Sequence, residues 1–141
     1  MKNSVRILNE ILSGVLLILS MALPASAGIF EQELLTQINR YRSANKLKPL
    51  SVSPEYDKLA HEHNLAMQKA DKLSHDGFKD RFQRAKAGTC VENVGWNNQT
   101  PVLQFQGWKN SSGHNKNMLK PGISKVGINK AGPYVTFFAC K

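Results

Sequence analysis

An apolar run near the amino terminus sets the terms for everything that follows it. Ile11–Leu23 reads ILSGVLLILSMAL, with Lys2 and Arg6 before it and Pro24-Ala25-Ser26-Ala27 after it. A positive leader, an apolar stretch and a closing A-x-A pattern are the parts of an export signal cleaved after Ala27. Its thirteen residues fall short of the roughly 20 that a spanning helix needs, which argues against a membrane anchor. Residues 1–27 are therefore read as a signal peptide. Residues 28–141 are the working domain, secreted to the extracellular space or a periplasm.

Export changes what the cysteines mean. Cys90 and Cys140 are the only two in the chain. In an oxidising compartment two cysteines have one possible pairing, and a structural staple is favoured over a catalytic thiol. Closing that loop stabilises the fold by up to about 4 kcal/mol in the chain-entropy picture. Without Lys2, Arg6 and Glu10 the chain keeps 17 basic and nine acidic residues, a net +8 over 114 residues. That length is one domain with a modest core. The charge favours anionic lipid, a cell-wall polymer or another acidic surface, although a merely soluble basic exterior is the plainer reading. Nucleic acid ranks last, because export separates it from the chain and no aromatic-basic stacking motif is present.

Helical periodicity opens the domain. Phe30, Leu34, Leu35, Ile38 and Tyr41 form one apolar stripe. Ser53-Pro54-Glu55 supplies an N-cap, a first-turn proline and an early acid for a second helix. Its inner stripe is expected to carry Leu59, His63, Ala66, Met67, Ala70 and Leu73 and to end near Gly77. Residues 78–89 are polar and basic and read as a long connection. TCVENVGW (89–96) reads as extended, and Thr100-Pro101 as the start of a helix bearing Val102, Phe105 and Trp108. Two strand-like runs, 124–129 and 134–140, flank a turn at Lys130–Pro133. Helices first and a hairpin last indicate an α+β class, with helices packed on a small antiparallel sheet.

Three separated motifs carry most of the functional information. They are Leu73-Ser74-His75, then Glu92-Asn93-Val94-Gly95, then Trp108 followed by Gly113-His114 and Asn117-Met118-Leu119. In this order they resemble the CAP superfamily, the domain shared by cysteine-rich secretory proteins, antigen 5 and plant pathogenesis-related protein 1. The short form is most similar to bacterial SCP-like secreted proteins. The resemblance implies an α-β-α sandwich whose cleft is lined by His75, Glu92 and His114. It places Ser111 where longer relatives carry a second glutamate.

The chemistry of such a triad is limited and specific. Two neutral imidazoles, His75 and His114, can hold Zn²⁺ or another divalent cation with water completing the shell. Glu92 can orient a histidine or act as a base toward metal-bound water. Asn93 and Asn117 are expected to brace irregular backbone, and Gly113 to provide a turn. Each histidine taken singly is more often structural, and Glu92 can serve only to tie a loop. His61 and His63 cannot chelate one ion, because residues two apart on a helix point to nearly opposite sides. His63 is read as partly buried, and Trp96 and Trp108 as core or cleft wall.

Three functions compete on these residues. The first is a non-enzymatic secreted module binding anionic lipid, a cell-wall polymer or a host surface protein. The second is a metal-dependent hydrolase using Glu92 as base. The third is a disulfide-stapled scaffold for a protein partner. The absent second glutamate and the lack of a placed nucleophile favour binding.

Overall fold

The computed structural model describes residues 28–141, so residues 1–27, read above as a signal peptide, lie outside the described residues. In chain order the elements are α1 (Ile29–Ala44), β1 (Ser51–Val52), α2 (Pro54–Ala70), α3 (Phe78–Ala85), β2 (Cys90–Trp96), α4 (Pro101–Asn110), α5 (Ser112–Met118), β3 (Lys125–Ala131) and β4 (Tyr134–Cys140). Both predicted caps form. The Ser53 hydroxyl accepts from the Tyr56 N–H, and that of Thr100 from the Leu103 N–H. Each satisfies one N–H that a helix start would otherwise leave unpaired.

The sheet runs β1-β3-β4-β2. β4 pairs antiparallel with both β2 and β3, whereas β1 lies parallel to β3. The sheet is thus mixed and not wholly antiparallel; β1 is two residues long, too short to leave a periodic signal. Strand β4 explains the layering. Val135, Phe137 and Ala139 face a core with Leu34, Ile38, Trp108 and Met118. Phe138 and Cys140 face the opposite layer with Tyr56, Leu59 and Ala85. All seven β4 residues are buried, as expected for a central strand covered by helices on both sides. Phe137 and Phe138 are completely buried on opposite faces, each contributing about 1.5–3 kcal/mol of apolar transfer. The result is an α-β-α sandwich in the α+β class.

Two local constraints hold the layers. Cys90 and Cys140 are register partners on β2 and β4 and form a disulfide. Gly127 on β3 lies where α2 crosses the sheet, and a Cβ there would collide with the Tyr56 backbone. Only glycine permits that approach.

Several expected details change. Residues 78–85, read as connection, form α3, with Arg81 and Ala85 buried. The hydrophobic pattern missed it because its inward anchor is an arginine. α2 ends at Ala70, since Asp71 takes a left-handed conformation (φ 48°), and Leu73 is exposed. Ala66 and Ala70 also face solvent, while Tyr56, Ala60 and Asn64 are buried instead. Gln104 and Trp108 are the buried residues of α4, and Val102 is exposed. Gly113 makes no turn; it lies inside α5. Trp96 is more than half exposed.

Candidate functional site

β2 is an edge strand, so its two faces open on different helices beside a free margin of the sheet. Alternation sends Glu92 toward α2 and α3 and Asn93 toward α5. The Asp71 turn releases the chain from α2, and Gly77 at φ 74° caps the start of α3. Between those turns lies the segment carrying His75. It is pinned from below by His63, a buried residue of α2, whose Nε2–H donates to the Ser74 carbonyl at 2.8 Å.

Glu92 is the electrostatic centre of this arrangement. Its side chain is 2 % exposed. Arg81 of α3 donates to it in a fork, Nε to Oε2 at 2.7 Å and Nη2 to Oε1 at 2.8 Å. His75 Nδ1 lies 2.9 Å from Oε1, and His63 Nε2 lies 3.7 Å from the same oxygen. The bidentate charge-assisted contact offsets the cost of burying the carboxylate without removing it. The carboxylate accepts, so His75 Nδ1 bears the hydrogen. The Nε2 lone pair of the neutral ring is then left available. Arg81 also donates through Nη1 to the Asp76 carbonyl at 2.9 Å, fixing the loop just past His75.

His114 arrives from the other side of β2. Asn93 Nδ2 donates to its carbonyl at 3.0 Å. Asn117 Nδ2 donates both to the Glu92 carbonyl at 3.0 Å and to Asn93 Oδ1 at 2.9 Å. The bracing expected of Asn93 and Asn117 is therefore present, and it ties α5 to the strand that carries Glu92. The His114 ring sits 6.4 Å from that of Trp108, centroid to centroid.

Electrostatics link the two histidines. Burial pushes the His114 imidazole below its usual range, and the nearby His75 pushes the same way. His63 is also held down, chiefly by burial, with the Glu92 carboxylate opposing. His114 and His63 are thus neutral near pH 7. Three of the sequence-derived site residues, His75, Glu92 and His114, converge on one margin of the sheet. His63 and Arg81 join them unannounced. His63 was hidden in the apolar stripe of α2, three residues past Ala60. Arg81 could have been found from the spacing Phe78, Phe82, Ala85, which marks a helix face whose fourth member is Arg81.

The donor set limits metal chemistry. Among the described residues no group of three His, Cys, Asp or Glu side chains is arranged to hold a metal ion. Glu92 is committed to Arg81 and His75, which leaves two imidazoles. Such a pair suits an open, exchangeable ion and not a closed structural zinc site.

Comparison with known proteins agrees with this architecture. Residues 35–140 match the model of the CAP family, the cysteine-rich secretory protein family. The chain belongs to that family. It is 27% identical over 112 residues to the uncharacterized protein YkwD of Bacillus subtilis (strain 168), covering 74% of this chain and 44% of that one. An extracellular SCP-domain protein from Bacillus anthracis str. Ames superposes with a TM-score of 0.74 at 27% identity, covering 79% of this chain and 40% of the other. An outer surface protein from Borrelia burgdorferi shares the fold at a TM-score of 0.72 and 16% identity, covering 78% of this chain and 90% of that one. The chain spans less than half the length of the two Bacillus relatives. No helix among the described residues is long and apolar enough to cross a membrane.

Proposed function

We propose that this CAP domain is a secreted, non-enzymatic ligand-binding module acting at the cell envelope or outside it. In this reading His75 and His114 form the recognition pair of its cleft. The observation that carries the reading is the Glu92–His75 hydrogen bond of 2.9 Å. A carboxylate on one ring nitrogen fixes tautomer and orientation and strengthens the other nitrogen as a donor to a cation. His75 and His114 would hold a divalent cation, zinc being the best match to imidazole. When bound, such an ion supplies a Lewis-acidic point for an anionic ligand. Glu92 orients His75, and its engagement with Arg81 is why no catalytic base is assigned to it. The extracellular and outer-surface descriptions of the structural neighbours support export.

Calorimetric titration of the metal-free protein with zinc tests the cleft. Wild type is expected to bind one equivalent, and His75→Ala or His114→Ala should each weaken binding at least tenfold. Undiminished binding by the double variant would remove these residues from the metal site.

A further inference from the structure

Charge is divided unevenly along this chain. From Glu55 to Glu92, seven acidic and seven basic residues cancel. Several of them pair, including Arg84 with Glu62 at 2.7 Å and Lys72 with Asp76 at 3.7 Å. After Glu92 there is no Asp or Glu at all, while residues 93–141 hold six lysines. Residues 34–54 hold Arg40, Arg42, Lys46 and Lys48 and again no acid.

Folding joins these two acid-free stretches, and Arg42 is the joint. Its side chain is buried near the end of α1. Nε donates to the Lys48 carbonyl at 3.0 Å, and Nη1 to the Met118 and Lys120 carbonyls at 2.8 and 3.2 Å. Nη2 donates to the Ile123 carbonyl at 3.4 Å. Beside it, Lys109 Nζ lies 5.0 Å above the Tyr41 ring. Ser51 is the register partner of Lys125. Lys46, Lys48, Lys109, Lys116, Lys120 and Lys125 therefore gather around one end of α1. All are exposed except Lys120, which is half-buried.

The make-up of this pole restricts its partner. Arg42 spends its guanidinium on internal carbonyls, so these six lysine ammonium groups supply the outward charge. Among the described residues, no exposed large apolar side chain belongs to residues 42–50 or 109–125, and Val52, next to Ser51, is the single one bordering the pole in β1. Peripheral binding to a bilayer normally adds apolar insertion to charge. Single-stranded nucleic acid binding normally adds aromatic platforms. Lysines act as hydrated point charges on flexible stems, suited to phosphates spaced along a chain without fixed geometry.

We propose that the lysine pole at the end of α1 docks a flexible polymer that carries phosphate groups along its chain. The pole does not depend on the cleft: Lys116 lies two residues past His114, about 200° around the helix.

The test uses inorganic polyphosphate as probe, followed by fluorescence anisotropy across a salt series. Six phosphate contacts on a flexible chain predict a log–log salt slope of about −4. Lys46→Gln/Lys48→Gln/Lys120→Gln should bind at least tenfold more weakly at low salt and flatten the slope by about 2. Lys58→Gln/Lys69→Gln/Lys72→Gln, on α2 and the turn just after it, lowers net charge equally and should change affinity by less than about twofold, if location rather than net charge governs binding. His75→Ala/His114→Ala should bind as wild type, so loss of zinc binding and loss of polyanion binding are separable. Equal weakening in both lysine triples, no binding at low salt, or tighter binding to phosphatidylglycerol vesicles than to polyphosphate would each overturn the proposal.

Discussion

Replacing Arg81 by methionine should expose what holds the Glu92 carboxylate in place. The substitution deletes two charge-assisted hydrogen bonds to Glu92 and one hydrogen bond to the Asp76 carbonyl. Glu92 then stays buried with only His75 in contact and His63 at 3.7 Å. Removing one partner of a buried ion pair costs about 3–5 kcal/mol, because the other charge remains desolvated. His75, the remaining contact, is half exposed, so solvent reaches that side of the stranded charge and places the expected loss near the lower end, about 3 kcal/mol at pH 7.5. Replacing both partners, Arg81→Met with Glu92→Met, removes the stranded charge and should return stability to within about 1 kcal/mol of wild type. Urea denaturation followed by tryptophan fluorescence measures all of these. A single variant costing under about 1 kcal/mol, or a double variant no better than the single, would refute the reasoning.

Two further outcomes follow from burial. His63 is held below its usual pKa near 6.5, so the folded state resists protonation that the unfolded chain accepts. Stability should hold above pH 6.5 and fall as pH drops below it, by at most about 1.4 kcal/mol per pH unit for this one group. His63→Gln should have a shallower dependence between pH 6.5 and 5.0 in urea melts; an unchanged slope would assign the acid sensitivity elsewhere. Gly127→Ala places a Cβ against the Tyr56 backbone, and because backbone cannot yield as a side chain can, a loss of about 3 kcal/mol or more is expected. A melting temperature within about 2 °C of wild type would show that α2 is free to shift.

Much of the fold was legible locally. Ser53-Pro54 and Thr100-Pro101 announced α2 and α4 because a cap and a first-turn proline act on their own neighbours. The terminal hairpin was readable for the same reason. The elements that escaped were those whose stability comes from elsewhere. β1 exists because Ser51 and Val52 meet Lys125 and Val126. α3 is anchored on a carboxylate eleven residues along the chain. Gly113 reads as a turn former in isolation, yet α5 runs through it.

By itself the sequence determined the pair of cysteines, the layered class and the three residues His75, Glu92 and His114, since each rests on local chemistry or an ordered motif. Only the tertiary structure decided what those residues are. It enclosed Glu92 between Arg81, His75 and His63, giving a buried carboxylate partners that no local motif names. It also used Arg42 to gather lysines from α1's end and the α5–β3 segment into one charged pole. Both outcomes depend on desolvation and on distances between chain-remote groups, and neither quantity exists until the layers close.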